Sequence, residues 1–458
     1  MKQLKLKNLK DKLLNKNLKN VRLVKKMHNT HKEKNKDLVI IGVTGSCGKT
    51  STCVMIHEYL KFLGYKSVLY SSSTVDSPTS FIKKNEAFEV PVKSESSLLS
   101  IINEVGVYGA DYLVLEVNDS TLEKGFLKDV DFDVRVLTNL NPLHNLEHYT
   151  KEEYVNLKKS FFKDINDDSK CVIGFQNYSK ELFEELLNLN NNQKYTFSSE
   201  YIASKYNLNK NQFTSLLYEI SNDLDGLKLK LYLDNESIEI DTKLLLSYNV
   251  MNILCTLTTL KALDILDIEK FKKCIYDIKI PGRSITYNVN NRLIVVDTHL
   301  GKTLECLQEL KEKNIIGKIK VVVGSLGTNF KTWDEKFKSN RYLESVKPSR
   351  IFACELLKKY ADYAYLTEND NASESVTDIC KELQSYLEDV IPSTIVEDRE
   401  EAIKKAIFES NPYDVIFISG RGNRRILCTT KDKMKLLKDA DVVEKVIKEI
   451  GWWFYGWK

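Results

Sequence analysis

The stretch IIGVTGSCGKTST, Ile40 to Thr52, constrains the fold more than any other part of the chain. A β-branched apolar run meets two glycines, a lysine and a row of hydroxyls. KTSTCVMIHEYLKFLG then follows as an apolar-periodic helix ending at Gly64. A buried strand feeding a glycine turn and a helix makes an anion site, because turn and helix N–H groups converge and the helix dipole adds its attraction. The strict P-loop pattern wants glycine at position 43, where Val43 stands. Even so, Gly45, Ser46, Gly48, Lys49, Thr50 and Ser51 supply the parts of a phosphate cradle. Lys49 would neutralise the β- and γ-phosphates, and the Thr50 hydroxyl would hold Mg²⁺.

From Asp37 onward, apolar β runs alternate with amphipathic helices. LVIIGVTG, KSVLYSSS, DYLVLEV and DVRVLTNL read as strands, with a helix over SESSLLSIINEVGVYG. Parallel strands need crossovers, so this order predicts a largely parallel, helix-covered sheet. Between about 176 and 243 the rhythm changes to short strands around an asparagine-rich stretch, which reads as a small β-rich insertion. SYNVMNILCTLTTLKAL resumes as a helix, IPGRS reads as a hinge, and a second alternation from RLIVVDTHL to YDVIFISGRGN predicts a Rossmann-like domain. The expected class is α/β: a basic segment over 1–37, a P-loop parallel-sheet ATPase domain over 38–280 containing the insertion 176–243, and a C-terminal Rossmann-like α/β domain over 281–458.

Composition narrows the partners. Net charge is +4, from 68 basic and 64 acidic residues, so no global field points to nucleic acid or a membrane. The 9 cysteines include no C-x-x-C pair, which argues against a zinc ribbon and for reduced thiols. No apolar run reaches the roughly 18 residues that span a bilayer, and a signal-peptide core is lacking, so the expected place of work is the cytosol. The first 37 residues read as a basic amphipathic helix, with Leu6, Leu9, Leu13, Leu14, Val21 and Val24 on one face. It would pack on the body or dock a partner protein or an anionic surface.

Further candidates follow the P-loop. Glu116 ends the strand YLVLE, a place from which a carboxylate reaches Mg²⁺ at a neighbouring P-loop, although an acid at a strand end also serves as a helix cap or ion-pair partner. In TNLNPLHNLEHYTKEEYVNLKKSFF, His144 and His148 lie four apart without a helical pattern to hold them. They would be a metal pair or would satisfy loop hydrogen bonds. Tyr154 and Lys158 are four apart on one helix face.

In sequence order, these segments resemble the Mur ligase family, ATP-dependent amide-bond-forming enzymes that include folylpolyglutamate synthases. GVTGSCGKTST resembles the family's G-V-T-G-T-N-G-K-T-T turn, LEV its Mg²⁺-binding glutamate, and TNLNPLHNLEHYTKEEYVNLKK its T-N-x-x-x-D-H-L-D-x-H-G segment with the following lysine. SYNVMN, PGR, VVDTHLGKTLE, VVVGSLGTN and ISGRGNRR resemble later motifs. The resemblance implies that Lys49 grips phosphates, that Thr50 and Glu116 hold one Mg²⁺, that His144 serves a second, and that Lys158 is carbamylated and so becomes an anion beside Mg²⁺ and the transferring phosphate. It assigns Asn139, Asn252, Arg283 and Asp297 to the nucleotide site. The implied reaction phosphorylates a carboxylate, of a small molecule or a peptide, with ATP, and an amino acid's amine then displaces phosphate to give an amide, ADP and phosphate.

Departures from the pattern bear on the substrate. Only 37 residues precede the first strand, so the family's UDP-sugar-binding domain is expected to be missing. The family's E-V-S-S-H is EVNDS, the arginine expected near position 126 is Phe126, and the aspartate of its D-H pair is Leu143. The C-terminal D-N-P-R appears as ENDNASES and G-K-G-H as GRGN. The branch that adds the third residue of the peptidoglycan stem remains the nearest pattern. Two alternatives stay open: an ATP-binding scaffold that has lost catalysis, and a P-loop NTPase switch, which would give Lys158 no role.

Overall fold

The computed structural model describes residues 38–455, except 78–94, 128–129, 142–148, 164, 177, 299–300, 314, 328–339, 372–373, 423, 425 and 429–433. The described chain divides into two compact units. The first holds residues up to Glu219 together with Lys230–Glu239 and Asn249–Ile275. The second holds Ile220–Leu229, Ile240–Tyr248 and the chain from Tyr276 onward.

The larger sheet is built on β1 (Val39–Thr44), β2 (Ser67–Tyr70), β3 (Val75–Asp76), β4 (Tyr112–Glu116), β5 (Val134–Leu137), β6 (Lys170–Gly174) and β7 (Lys194–Ser199) of the first unit, and on β8 (Ser215–Asp223), β9 (Gly226–Leu233) and β10 (Glu236–Thr242), whose residues are shared between the units. They form one sheet in the order β10-β9-β8-β7-β6-β5-β1-β4-β2-β3. β1 pairs in parallel with β4 on one side and β5 on the other, so the strand that carries the glycine turn lies well inside the sheet. Residues 176–243, expected as an insertion, instead continue the sheet: β7 runs parallel to β6 and β8 to β7. Period-two alternation marks a strand without saying which sheet edge will receive it.

Five helices matter for the site: α1 (Lys49–Phe62), α2 (Glu95–Val107), α3 (Asp119–Glu123), α4 (Lys151–Ser160) and, much later, α5 (Tyr248–Ala262). Alternate strand residues face opposite ways. Ile40, Leu113, Leu115 and Ile173 join a core with Leu98 and Ile102 of α2 and Tyr154 of α4. Their neighbours Ile41, Val43 and Val114 are equally buried. α5 is buried around most of its circumference, and its Thr256 hydroxyl reaches the Met55 sulfur of α1 at 3.6 Å. A helix buried all round reads as apolar all round, which is why SYNVMNILCTLTTLKAL shows so little polar face.

The second unit carries β11 (Ile285–Val289), β12 (Arg292–Asp297), β13 (Ile319–Val323), β14 (Tyr363–Leu366), β15 (Ser393–Ile395) and β16 (Val415–Ser419) in the order β11-β12-β16-β13-β14-β15. Only β11 is antiparallel to its neighbour; the other pairs are parallel. Its helices are α6 (Gly301–Lys311), α7 (Asn340–Tyr360), α8 (Val376–Leu387), α9 (Arg399–Phe408) and α10 (Asp439–Tyr455). Val295 and Val321 face Leu307, Leu357 and Leu383, while Ile294, Val296 and Val322 face Ile403, Ala406 and Val443, so both faces of the sheet are covered. That is the doubly wound arrangement expected of strands that are apolar throughout. The residues 1–37 lie outside those described.

Candidate functional site

The turn after β1 is held by backbone and amide contacts rather than by an apolar plug. Gly45 and Gly48 have φ of 148° and 81°, conformations that L side chains rarely adopt. Space is equally restrictive: a Cβ on Gly45 would lie 2.0 Å from the Thr138 hydroxyl, and one on Gly48 2.2 Å from Oδ1 of Asn252. Asn139 clamps the loop from the end of β5. Its Oδ1 accepts from the Cys47 amide at 3.1 Å, its Nδ2 donates to the Cys47 carbonyl at 2.9 Å, and its carbonyl accepts from the Ser46 amide at 3.1 Å. Gly48 caps α1 without any side-chain hydrogen bond, and no acid stands in the first turn. The first N–H groups of a helix want an acceptor, so a start without a side-chain cap favours an anion there.

Charged and hydroxyl groups ring this turn. Lys49 Nζ donates to the carbonyls of Gly45 at 2.9 Å and Ser46 at 3.3 Å, which lays its ammonium over the loop. Thr50 Oγ1 donates to Glu116 at 2.9 Å across the end of β4, and Glu116 is 2% exposed. Ser72, just beyond β2, donates to the same carboxylate through its amide at 2.9 Å and its hydroxyl at 3.0 Å. Three chain segments thus bring a carboxylate and two hydroxyls together, an all-oxygen donor set suited to Mg²⁺.

α4 approaches from the other side. It opens with a capping box in which Thr150 and Glu153 exchange side-chain and backbone bonds, and the apolar-spaced pair Tyr154 and Lys158 then points inward. The Tyr154 hydroxyl shares a 2.9 Å hydrogen bond with Ser46. Lys158 is fully buried, donates to Thr44 Oγ1 at 3.0 Å and is ion-paired with Asp119, the first residue of α3. Burial lowers the lysine's pKa to about 8, against the opposing pull of Asp119. Burial likewise pushes the Tyr154 phenol up.

The structure therefore brings Gly45, Ser46, Gly48, Lys49, Thr50, Glu116, Asn139, Lys158 and Asn252 around one loop of the first unit. Asn252 sits on α5, 5% exposed, with its amide against Asn249. Ser51 lies buried in the first turn of α1. Arg283 and Asp297 belong to the second unit. There Asp297 accepts from the Ser284 amide at 2.9 Å and from the Tyr248 hydroxyl at 3.2 Å, and Arg283 donates to the Gly282 carbonyl at 3.0 Å. His144 and His148 lie outside the described residues. Sequence reasoning did not single out Ser72, Thr138 or Asp119: Thr138 and Asp119 stand inside matched segments, but each of the three acts through a partner distant in the chain.

A parallel sheet whose central strand ends in a glycine loop, ringed by lysine, threonine and a buried glutamate, defines a nucleotide-binding α/β protein of the P-loop class. Residues 43–260 match the Mur ligase middle domain, and residues 287–422 match the Mur ligase glutamate ligase domain. The chain belongs to the Mur ligase family of ATP-dependent ligases. It is similar to the UDP-N-acetylmuramoyl-L-alanyl-D-glutamate–2,6-diaminopimelate ligase of Caldanaerobacter subterraneus, at 25% identity over 90% of this chain and 78% of that one. It is also similar to the UDP-N-acetylmuramyl-tripeptide synthetase of Borreliella afzelii, at 24% over 91% and 78%. Among solved structures, the MurF ligase of Thermotoga maritima in complex with ADP shares the fold with a TM-score of 0.61 at 20% identity, covering 93% of this chain and 84% of that one. E. coli FolC gives 0.65 at 14%, covering 93% of each. Among the described residues no helix is long and apolar enough to cross a membrane.

Proposed function

We propose that this protein is an ADP-forming acid–amino acid ligase that joins a peptide carboxylate to an amino acid's amine, in peptidoglycan or related peptide synthesis. The observation that carries this reading is the approach of α4 to the loop: Tyr154 on Ser46 and Lys158 on Thr44 build a second wall beside the phosphate cradle. A nucleotide switch has no use for that wall. The names of the similar ligases suggest a UDP-muramoyl peptide as the carboxylate side; the departures at EVNDS, Phe126, Leu143 and ENDNASES speak against ordinary UDP-muramoyl-tripeptide synthesis.

An amine does not usefully attack a carboxylate, so the acid must first be activated as an acyl phosphate. Backbone N–H groups of Gly48 and Lys49, at the start of α1, would bind the phosphates, and the Lys49 ammonium would offset the charge that develops as the γ-phosphoryl moves. Asn139 keeps the loop in register while the load changes. The Thr50, Glu116 and Ser72 oxygens would hold Mg²⁺, which would supply positive charge against the phosphates. His144 is assigned to a second Mg²⁺ on resemblance alone. Asn252 is assigned to the nucleotide beside Gly48, and Arg283 and Asp297 to nucleotide contacts from the second unit. A carbamate on Lys158 is likewise assigned on resemblance alone; the structure pairs the lysine's Nζ with Asp119.

The test is phosphate release from ATP and Mg²⁺, screened over amino acids combined with UDP-muramoyl peptides, glutamyl peptides and simple carboxylates. Release that needs both an acid and an amine, and that drops at least a hundredfold in Lys49→Ala and Thr50→Ala, establishes the ligase. Tight ATP binding with no acceptor-dependent release would favour the scaffold, and release without any acceptor would favour the switch.

A further inference from the structure

We propose that Arg135 is a positioning residue for the ligase site: from the middle of β5 it fixes the end of α4, and so sets where Tyr154 and Lys158 meet the phosphate loop. This rests on the ligase reading above, which gives the loop its nucleotide.

β5 reads VRVL inside the sheet, where a charged side chain is out of place. Arg135 is 8% exposed, its Nε is buried without a hydrogen-bond partner, and among the described residues it has no carboxylate partner. Burial lowers its pKa to about 10, which still leaves it charged at neutral pH. A buried charge without a counter-ion is costly unless other groups hold it. Here Nη1 donates to the carbonyl of Phe161, the residue that caps α4, at 2.7 Å. The guanidinium carbon lies 5.1 Å from the centroids of both the Phe132 and the Phe161 rings. The last carbonyls of a helix carry the negative end of its dipole, and aromatic faces attract cations, so a helix end and two rings stand in for an acid.

The rings are themselves seated. Phe132 and Phe161 meet edge to face, with centroids 5.2 Å apart, over Gly42 of β1, where a Cβ would lie 2.6 Å from the first ring and 2.7 Å from the second. Along the same strand and its loop, Thr44 receives Lys158 at 3.0 Å and Ser46 meets Tyr154 at 2.9 Å. β1 with its loop and α4 therefore touch at three levels, and Arg135 closes the lowest from β5. A helix end held in this way keeps its last turn wound and fixes the depth of the two upper contacts.

The test is a double-substitution cycle read as ADP affinity, by calorimetry of the full chain with Mg²⁺ at pH 7.5, with urea unfolding of each variant alongside. Arg135→Met and Tyr154→Phe should each weaken ADP binding by about fivefold, the worth of one hydrogen bond. The double variant should bind no more weakly than Arg135→Met, because the helix no longer presents position 154 to the loop. Arg135→Lys, which keeps a cation beside the rings, should recover part of the affinity. Effects that multiply in the double variant overturn the proposal, and so does an Arg135→Met chain that loses stability and keeps its affinity. Should Arg135→Met fail to fold, the cycle runs with Arg135→Lys, whose effect must shrink in the Tyr154→Phe background; an undiminished effect overturns the proposal. If the unsubstituted chain binds no ADP, the nucleotide reading falls and takes this role with it, whereas binding with independent effects removes the role alone.

Discussion

Lys158 in the first unit and Arg399 in the second are both cations without exposed surface, and they are held in opposite ways. Arg399 spends its fork on the fold. Its Nε and Nη2 meet the two oxygens of Asp439 at 2.7 and 2.8 Å, Nη2 also donates to the Ser419 carbonyl at 2.8 Å, and Nη1 donates to that of Glu368 at 3.3 Å. Asp439 in turn accepts from the Gly422 amide at 2.9 Å. The result staples α9 and α10 to the ends of β14 and β16. Lys158 has one carboxylate, one hydroxyl and a ring. A guanidinium saturated by carbonyls has nothing left to offer a ligand, whereas an ammonium beside a glycine loop does. Burial alone therefore does not separate a structural cation from a functional one; the identity of its partners does.

The contrast breaks first at Arg399. Arg399→Ala leaves Asp439 buried and unpaired and should cost about 3–5 kcal/mol in urea unfolding. A loss under about 1 kcal/mol would mean that the staple is dispensable. Next comes the pH response of Lys158. With its folded pKa at about 8 and the ordinary lysine value at 10.5, both states hold the proton below pH 8, so burial's penalty is felt in full there. Between about 8 and 10.5 the unfolded chain keeps a proton that the folded lysine has lost, so stability should rise with pH, by on the order of 3 kcal/mol over the window. Lys158→Met should flatten that rise in urea midpoints taken at pH 7.5 and 10, and an unchanged slope would sink the assignment. Gly48→Ala should follow, with roughly 1–2 kcal/mol of left-handed strain and a Cβ pressed on Asn252. Calorimetry should find ADP binding weakened about tenfold, and an unchanged affinity would remove the loop from the nucleotide site. Smallest is Tyr154→Phe, which loses one hydrogen bond to Ser46 and about 1 kcal/mol in the same unfolding assay.

Much of this was legible in the sequence because it is local. Gly45, Gly48 and Lys49 announce their turn by spacing, Glu116 stands at a readable strand end, and Tyr154 and Lys158 share a helix face by simple periodicity. The partners were not legible. Nothing near Gly48 points to Asn252, nothing near Lys158 names Asp119 or Thr44, and Ser72 looks like any serine after a strand, since sheet pairing alone brings these positions together. For the same reason 176–243 were visible as strands but not as a continuation of the sheet.

The closeness of Gly48 to Asn252 has one more consequence, for the order of events during synthesis. β1, β4 and β5 leave the ribosome early and could pair as soon as residue 137 has emerged. The face of the phosphate loop against which Asn252 lies arrives more than a hundred residues later, with α5 at 248–262. A nascent chain stalled before α5 would carry every residue of the glycine motif and still present an unfinished loop, so nucleotide loading should wait for translation to pass that helix.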